Sequence, residues 1–363
     1  MIDLSSVRQI LVIKLRYIGD VLLSTPVVAN LRHHFPESRI TMVVNKGTEE
    51  VLRHNPHLNE VLHLDRSQIK GGLLARIRSA LDYVRQIRGG GFDLVVDLTD
   101  GDRGAILSFL SGAPIRLGYN AEKKMRGWLY TMVVSPVISP SRPRLHNVEY
   151  QLEAIRALGL KVETDHLVLR WGEEEDRFAE QCLTARGLME RPFIVAHPGA
   201  RWWFKQWPLE RFAALSEKLF ERYGLETVFL GGEKEKEALE EVRRHSSRPV
   251  IAAEGLTLLQ VAALVKRAGL FIGNDNGPMH IAAAVGTPVI ALFGSSDPKV
   301  WGPWGKSHRV LYKEVPCSPC AHTGCDMGDL NCMRLIQINE VMEQIERLWQ
   351  RREDVVRSPL ARP

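Results

Sequence analysis

The chain has 363 residues, of which 45% are apolar and 25% charged, a composition typical of a soluble globular protein with about two domains. No apolar run reaches the roughly 18 residues that span a bilayer, and no basic segment followed by an apolar one opens the chain, so we expect neither a membrane-spanning nor a secreted protein. The net charge of +5 is uneven, because residues 1–170 carry 23 Lys and Arg against 17 Asp and Glu, whereas the rest carries 25 against 26. This asymmetry favours an acidic partner or an anionic membrane surface for the first half, although scattered surface charge would also explain it.

Buried strands alternate with helices along the first half, which is the pattern of a parallel α/β domain. The run 92–98 (FDLVVDL) is the clearest strand, because it is apolar almost throughout, as in strands that are covered on both faces. The other predicted strands are 10–14 and 39–44, and the predicted helices are about 19–34, 104–110 and 147–158.

A weakly periodic segment, 161–177, separates this half from a second one with the same alternation. The predicted strands there are 192–197, 226–232, 268–272 and one that follows Gly286, and the predicted helices are Leu209–Tyr223, Glu235–His245, Thr257–Arg267, one that begins at Pro278, and Gln337–Arg351. We therefore predict two doubly wound domains, 1–170 and 171–350, facing each other across a cleft with ligands at the carboxyl ends of the strands. The last helix is expected to pack back on the N-terminal domain, and 351–363 to form a tail.

The usual nucleotide motifs are absent: no GxGxxG follows the first strand, and no GxxxxGK[ST] occurs. The candidate chemistry lies where four strands run into loops. In the first of these, LVIKLRYIGD, Gly19 allows a turn, and Asp20 lies in the first turn of the next helix near Lys14 and Arg16. Asp20 either complements the helix dipole or acts as a general base for a hydroxyl group.

The second loop, IVAHPGARWWFKQWP (194–208), follows the first strand of the second half. Gly199 and Ala200 expose backbone N–H groups, and Arg201 and Lys205 add positive charge. This combination suits a diphosphate. The alternative is a turn with a solvated lysine and packed tryptophans.

The third loop follows a strand that ends in two glycines. Glu233 comes directly after them. It either accepts hydrogen bonds from two ribose hydroxyls, as acidic residues do in nucleotide-binding folds, or serves as the acidic cap of the next helix.

The fourth loop lies in GNDNGPMHIAAAVGTPVIALFG (273–294), where Pro278 suits a first helical turn and Gly286 a helix end. The helix N-terminus offers an anion site. Asn276 and Gly277 would contact phosphates through backbone N–H groups.

Two side chains of this fourth loop have more than one possible role. Because a bound diphosphate would repel a carboxylate, Asp275 is expected to hold the loop, cap the helix or bind a sugar hydroxyl. His280 would either donate to a phosphate or pack in the core.

Four cysteines, Cys317, Cys320, Cys325 and Cys332, lie within 16 residues, with His322 among them. Free or packed thiols, a structural zinc or iron-sulfur site, and a disulfide are the alternatives. The spacing is irregular for a zinc ribbon.

A basic cluster in the first half consists of Arg103, Lys123, Lys124 and Arg126. Clusters of this kind either form a solvated face or bind an anionic partner. In the second interpretation, the cluster would bind an anionic acceptor substrate in the first domain.

Three segments resemble those of the ADP-heptose:lipopolysaccharide heptosyltransferases, glycosyltransferase family 9: LVIKLRYIGDVLLSTPVVANLR, HPGARWWFKQWP and LFIGNDNGPMHIAAAVGTPVIALFGSSDP. The resemblance extends over residues 8–350. Three shorter segments are most similar to the heptosyltransferase III (Q type) branch: KLRYIGDVLLSTP, DLTDGDRGA and GSSDPKVWGPW. The resemblance implies a GT-B fold, in which two Rossmann-like domains bind the acceptor and the nucleotide sugar respectively, and inverting transfer without a metal cofactor.

The resemblance also implies roles for single residues. Asp20 matches the aspartate that deprotonates the acceptor, and Lys205 matches the lysine that neutralises the leaving diphosphate. Glu233 resembles the ribose-binding acid. The implied donor loop consists of Asp275, Asn276, Gly277 and His280. Asn276 stands where many members of the family carry Thr or Ser. At Gly199 and Ala200, where some relatives place hydroxyl residues, only backbone donors are available. The cysteines occur in some members outside the catalytic set, which favours a structural role.

On this resemblance we expect a cytoplasmic enzyme that transfers L-glycero-D-manno-heptose from ADP-heptose to a heptose of the lipopolysaccharide inner core. It would contact the inner face of the inner membrane peripherally and bind no nucleic acid. Two alternatives stay open: a GT-B enzyme that uses another nucleotide sugar, such as an epimerase or a different transferase, and a nucleotide-binding protein without enzymatic activity.

Overall fold

The structure, a computed structural model, describes residues 3–65, 82–120, 124–134, 144–320, 324–325, 327–328 and 332–357, with side chains as far as 349. The chain divides into two compact units, Met1–Arg170 and Trp171–Pro363, which we call the N-terminal and C-terminal units. Among the described residues, no helix combines the length and the apolarity needed to cross a membrane.

The N-terminal unit contains a parallel sheet with helices. Its strands are β1 (Gln9–Lys14), β2 (Arg39–Asn45), β3 (Glu60–Leu64), β4 (Leu94–Asp97), β5 (Ile115–Tyr119) and β6 (Met132–Val134). Its helices are α1 (Ile18–Leu22), α2 (Thr25–His34), α3 (Asp102–Leu110) and α4 (Asn147–Ala157), with 3-10 helices at Glu49–Leu52 and Met125–Leu129, and residues 82–89 are also helical. The strand order is β3-β2-β1-β4-β5-β6.

The C-terminal unit has the same construction. Its strands are β7 (Phe193–His197), β8 (Glu226–Gly231), β9 (Ile251–Glu254), β10 (Leu270–Asn274), β11 (Val289–Phe293) and β12 (Arg309–Tyr312). Its helices are α5 (Glu173–Thr184), α6 (Leu209–Tyr223), α7 (Lys236–His245), α8 (Leu258–Arg267), α9 (Gly277–Ala284), α10 (Pro298–Trp301) and α11 (Ile338–Arg357), with 3-10 helices at Trp203–Lys205, Glu233–Glu235 and Cys332–Leu335. The strand order is β12-β11-β10-β7-β8-β9.

The two sheets share one topology. When strands are counted from the first in each unit, both orders read 3-2-1-4-5-6, and every pairing is parallel. In this doubly wound arrangement the strand order reverses between the first and fourth strands, and ligands bind at their carboxyl ends. The switch points are therefore β1/β4 and β7/β10. The predicted α/β class, with two Rossmann-like doubly wound domains, is confirmed.

The apolar pattern explains which residues form each core. The central strands are buried along their whole length, as the continuous apolar runs predict for parallel strands covered on both faces. In the C-terminal unit, Trp207, Phe212 and Phe229 share a core with Val341 and Ile345 of α11. The described apolar face of α11 thus lies in the C-terminal core, and the expected packing of this helix on the N-terminal domain stays a prediction.

The predicted helix 19–34 is wrong in one respect, because the structure has two helices there. Pro26 lies in the first turn of α2, where its missing N–H costs no hydrogen bond. Just before it, the Ser24 and Thr25 hydroxyl groups donate hydrogen bonds to the backbone carbonyls of Val21 and Leu22, at the end of α1. The chain therefore ends one helix and begins another at this point.

The start and end of α9 follow the prediction. Pro278 lies in its first turn, and Gly286 has φ +81° just beyond its end. The sequence pattern did not predict the strands β3, β5, β6, β9 and β12, nor α5. These elements are short or only partly buried, so their hydrophobic pattern is weak.

Candidate active site

Asp20 lies just beyond the carboxyl end of β1, beside a buried lysine. Lys14 is the last residue of β1. Its Nζ donates a hydrogen bond to the Leu98 carbonyl at 2.8 Å and lies 3.9 Å from Asp20 Oδ1. The side chains of Lys14 and Asp20 are 4% and 16% exposed. Burial lowers the pKa of Lys14, and the nearby Asp20 carboxylate opposes that change. The arrangement presents a partly accessible carboxylate held by a less accessible cation.

A second carboxylate, Asp97, is fully buried at the end of β4, the strand next to β1. It accepts hydrogen bonds from the Tyr130 hydroxyl at 2.6 Å and from the Thr99 backbone N–H at 2.8 Å. Burial raises the pKa of Asp97, and these hydrogen bonds oppose the shift. Gly104 leaves room for this carboxylate, since a Cβ there would come 2.2 Å from Asp97 Oδ2. Asp97 and Tyr130 were not among the predicted site residues, although an acid inside the apolar run 92–98 was a usable signal for Asp97.

The loops after β1 and β4 are bonded to each other. Arg16, after β1, donates through Nε to the Thr99 carbonyl at 3.0 Å. Asp100 has φ 48°, a left-handed conformation, and its carboxylate accepts from Arg126 Nη2 at 2.9 Å and from the Tyr150 hydroxyl at 3.1 Å. The switch point of the N-terminal unit is thus a hydrogen-bonded polar network around Asp97 and Asp100, beside which Asp20 forms its ion pair with Lys14.

The predicted basic cluster is divided in the structure. Arg126 forms ion pairs with Asp100 and Asp102 at 2.9 and 3.2 Å. Arg103 is exposed on α3, and Lys124 is exposed just before the 3-10 helix Met125–Leu129. Lys123 lies outside the described residues.

In the C-terminal unit, Asn274 ties the second predicted loop to the sheet. It is the last residue of β10 and is fully buried. Its Nδ2 donates to the carbonyls of Pro198 and Gly199 at 2.9 and 3.2 Å, and its Oδ1 accepts from the Trp207 backbone N–H at 3.0 Å. One side chain therefore fixes both ends of the segment that contains Lys205. This role of Asn274 was not predicted, although a polar residue at the end of a buried strand could have indicated it.

Lys205, Asp275 and Ser296 form a hydrogen-bonded triangle at the carboxyl ends of three adjacent strands. Lys205 Nζ donates to Asp275 Oδ2 at 2.7 Å and to Ser296 Oγ at 2.6 Å. Ser296 Oγ in turn donates to Asp275 Oδ2 at 2.6 Å. The Lys205 and Asp275 side chains are 23% and 14% exposed, so an anion from solvent can reach the ammonium group. Ser296 did not figure among the predicted site residues.

Asn276 caps α9 and joins it to the end of β7. Its Oδ1 accepts from the Met279 backbone N–H at 3.1 Å, and its Nδ2 donates to the Gly199 carbonyl at 2.9 Å. The same Nδ2 lies 2.9 Å from His197 Nδ1. The helix cap is therefore Asn276 and not Asp275, whose carboxylate bonds to Lys205 and Ser296 instead. Its contact with a sugar hydroxyl stays a prediction.

The acid that caps the turn after β8 is not the predicted one. The Glu233 side chain is 83% exposed and pairs with Lys236. Glu235, not Glu233, accepts the Gly232 backbone N–H at 2.8 Å and caps this turn. Glu235 also packs close to Gly199, where an added Cβ would come 2.4 Å from its Cγ. The ribose-binding role of Glu233 stays a prediction.

The remaining predicted donor ligands lie around these groups. Gly277 begins α9, and His280 is buried one turn into that helix. Arg201 lies over the ring of Trp202, with its guanidinium carbon 5.3 Å from the ring centroid, and Ala200 is partly buried beside it. Their contacts with a nucleotide stay predictions.

The cysteine segment lies against the loop after β11. Cys317, Cys320, Cys325 and Cys332 are free thiols, so the disulfide alternative is wrong. Cys320 donates its backbone N–H to the Ser295 carbonyl at 2.8 Å. In the part of the chain that the structure describes, which omits His322, no three side chains are arranged as metal ligands.

Comparison with known proteins identifies the class to which this fold and site belong. The model of glycosyltransferase family 9 (heptosyltransferase) matches residues 80–331. Lipopolysaccharide heptosyltransferase 3 of Escherichia coli strain K12 is 30% identical over 80% of this chain and 83% of its own length. A family 9 glycosyltransferase structure from Veillonella parvula superimposes with a TM-score of 0.80 at 28% identity, covering 95% of this chain and 97% of that one. The E. coli ADP-heptose heptosyltransferase II structure superimposes with a TM-score of 0.75 at 23% identity, covering 95% of this chain and 99% of that one.

The chain therefore belongs to glycosyltransferase family 9, the heptosyltransferase family, and is a glycosyltransferase with the GT-B fold. The predicted family is confirmed. So is its likeness to heptosyltransferase III, since the E. coli relative carries the name heptosyltransferase 3.

Proposed function

We propose that this protein transfers L-glycero-D-manno-heptose from ADP-heptose to a heptose of the lipopolysaccharide inner core. The observation that carries the proposal is the Lys205–Asp275–Ser296 triangle at the carboxyl end of the C-terminal sheet. It places a reachable ammonium group at the switch point, where doubly wound domains bind nucleotides. The names of the E. coli relatives, a lipopolysaccharide heptosyltransferase and an ADP-heptose heptosyltransferase, agree with this donor and acceptor.

The donor diphosphate would bind between the loop 198–200 and the N-terminus of α9. Lys205 would keep its bonds to Asp275 and Ser296 and donate its third ammonium hydrogen to a phosphate oxygen. Gly199, Ala200, Arg201, Gly277 and His280 would supply further contacts. Asp275 and Ser296 would then keep Lys205 aligned at the edge of the bound diphosphate. Because a fixed cation meets the charge that develops on the leaving ADP, the proposal requires no metal cofactor.

Asp20 would act as the general base. The acceptor hydroxyl oxygen bonds to the anomeric carbon of the heptose from the face opposite ADP, the bond from that carbon to the diphosphate oxygen breaks, and Asp20 takes the hydroxyl proton. A carboxylate can accept this proton because the hydroxyl becomes acidic as its oxygen bonds to carbon. Lys14, 3.9 Å from Asp20, would hold the carboxylate in position.

The acceptor is an acidic glycolipid, so the proposal also places the protein on the cytoplasmic face of the inner membrane. Residues 1–170 carry 23 basic against 17 acidic side chains, which suits an anionic acceptor. The charge asymmetry thus supports the N-terminal unit as the acceptor-binding side.

The test is a transfer assay with ADP-heptose and a core acceptor that ends in heptose, read by mass spectrometry together with ADP release. We expect the acceptor to gain one heptose for each ADP released, with a rate that EDTA does not change. An epimerase would alter the sugar without releasing ADP, and a nucleotide-binding protein would bind the donor without turnover. Either result would contradict the proposal, and loss of the rate in EDTA would contradict its metal-free form.

A further inference from the structure

Four large apolar side chains are exposed on two elements of the N-terminal unit. Ile106 and Phe109 on α3 are 49% and 51% exposed, and Met125 and Trp128 on the 3-10 helix Met125–Leu129 are 79% and 85% exposed. Met125 and Trp128 have the highest exposures of any large apolar side chains in the described part of the chain. Neighbouring apolar side chains that stay in water at such exposures mark interaction sites.

Each pair lies on one face of its element. Ile106 and Phe109 are three residues apart on an α-helix, where such side chains are neighbours. Met125 and Trp128 are three residues apart on a 3-10 helix, where side chains at this spacing eclipse one another. Each element therefore directs its own two apolar side chains to one side of that element.

The two elements lie side by side. Arg126, near the start of the 3-10 helix, pairs with Asp102 in the first turn of α3 at 3.2 Å. Arg116 links the other ends, because its Nε donates to the Leu129 carbonyl at 2.9 Å and its guanidinium lies 5.7 Å from the centre of the Phe109 ring. Both ends of one element are thus fastened to the corresponding ends of the other. We call the four side chains, Ile106, Phe109, Met125 and Trp128, the apolar surface.

Positive charge exceeds negative charge in the segments that carry the apolar surface. Between residues 100 and 130, the described part of the chain has four cations and two carboxylates, namely Arg103, Arg116, Lys124 and Arg126 with Asp100 and Asp102. Both carboxylates pair with Arg126. Arg103 and Lys124 are exposed, so the excess charge beside the apolar surface is positive.

We infer that the apolar surface inserts into the interface of an anionic lipid bilayer. Trp, Phe and Met enter the headgroup boundary readily, and each nearby Lys or Arg adds attraction to anionic lipid. A two-fold contact with a second copy would place these cations opposite one another, which disfavours that occupant. The inference rests on the proposed function in one respect: a glycolipid acceptor requires the enzyme to work at a membrane.

The test measures binding of the full chain to vesicles of phosphatidylethanolamine and phosphatidylglycerol by flotation. The double variant Met125→Ser/Trp128→Ala should lower the vesicle partition coefficient by about tenfold or more, since two inserted apolar groups are lost. The matched control, Met189→Ser/Leu335→Ser, removes two exposed apolar side chains of the C-terminal unit. It should bind like the unaltered chain. Equal partition of both double variants would overturn the inference, as would no binding by the unaltered chain.

A second arm tests the charge. Binding should weaken at least about tenfold on vesicles of phosphatidylcholine alone and should fall with added salt. Arg103→Gln/Lys124→Gln should weaken binding to the anionic vesicles while leaving the residual binding to phosphatidylcholine unchanged. Equal binding of the unaltered chain to the two lipids would overturn the electrostatic part.

A transfer assay with a delipidated, water-soluble core acceptor separates this inference from the proposed function. The Met125→Ser/Trp128→Ala variant should transfer heptose to it at the rate of the unaltered chain, which shows that the variant is folded. If no protein transfers heptose but vesicle binding follows the pattern above, the proposed function fails and the lipid surface stands. A dimer in light scattering that this variant dissociates, without vesicle binding, would assign the surface to a second copy and overturn the inference.

Discussion

The two units place opposite charges at equivalent points of one topology. In the N-terminal unit the first strand leads to a carboxylate, Asp20, with a buried lysine 3.9 Å away. In the C-terminal unit the first strand leads to a reachable lysine, Lys205, held 2.7 Å from the carboxylate of Asp275. The strand order determines where a polar site can form, whereas the residues after each strand determine the charge that it offers. Under the proposed function, the N-terminal unit would accept the proton and the C-terminal unit would bind the diphosphate.

The largest expected effect tests the first half of this division. Asp20→Asn keeps the size of the side chain but removes the charge that accepts a proton. We expect the turnover number to fall by about 100-fold or more, while the dissociation constant for ADP, measured by calorimetry, stays within about twofold of the original, a change below 0.5 kcal/mol.

The matched control for that variant is Glu149→Gln. Glu149 is also an acid in a first helical turn of the N-terminal unit, and it pairs with Arg156 instead of Lys14. If Asp20 only complemented a helix dipole, both variants would lose about 0.3–1 kcal/mol of stability and would keep their turnover numbers. An equal loss of ADP binding in Asp20→Asn would also contradict the division between the units.

The next effect concerns Lys205. Lys205→Ala removes the cation and leaves Asp275 facing the diphosphate, so donor affinity and turnover should fall together, each by about tenfold or more. Titration calorimetry with ADP and the transfer assay measure the two quantities. Lys299→Ala serves as the control, since Lys299 is an exposed lysine of the same unit. Unchanged ADP affinity in Lys205→Ala would place the diphosphate elsewhere.

A smaller effect sharpens the role of the triangle. Ser296→Ala removes a hydroxyl that accepts from Lys205 and donates to Asp275, but it leaves the ion pair in place. Loss of such a hydrogen bond costs about 1 kcal/mol, which corresponds to about fivefold in ADP affinity. Ser295→Ala is a close control, because the buried Ser295 hydroxyl forms no hydrogen bond with the described residues. Equal effects of the two substitutions would show that Ser296 does not position Lys205.

The sequence predicted the parts of the fold and of the site that depend on local patterns. Continuous apolar runs indicated the central strands, and Pro278 and Gly286 indicated the bounds of α9. Elements at or near the sheet edges were missed, because a strand such as β6 has only three residues and is partly exposed.

The site was predictable only as far as its residues lie next to a strand end. Lys205 and Asp275 were identified as separate candidates, but their contact joins positions 70 residues apart, which only the sheet topology brings together. Ser296 and Asn274 were missed for the same reason, since each acts through partners far away in sequence. Glu233 and Glu235 are two residues apart, and only Glu235 stands three residues after the cap residue Gly232, which is the capping-box position. Because Gly232 is not the Ser or Thr that usually marks this box, the pattern was not recognised in the sequence.

The smallest expected effect is that acid destabilises the C-terminal switch point more than the N-terminal one. The group responsible is His197. Because Asn276 Oδ1 accepts from Met279, its Nδ2 faces His197, and the ring nitrogen Nδ1 must accept that hydrogen bond and stay unprotonated. Burial lowers the pKa of His197 below its ordinary value of 6.5, and nearby Glu235 opposes this. The stability that His197 contributes is therefore complete above about pH 6.5 and is lost as the pH falls through the folded-state pKa.

Asp97 gives the N-terminal switch point the opposite dependence of stability on pH. Burial raises its pKa above the ordinary value of 3.8, so its ionised form costs stability that is regained as the pH falls through the folded-state pKa. We therefore expect His197→Gln to reduce the fall in Tm between pH 7 and pH 5 by about 2–4 °C, whereas His245→Gln, at an exposed histidine, keeps the original slope. Hydrogen exchange should locate the acid-induced opening at residues 197–207 and not at 97–104. Equal opening of both loops would show that the contrast between the two switch points has no effect on stability.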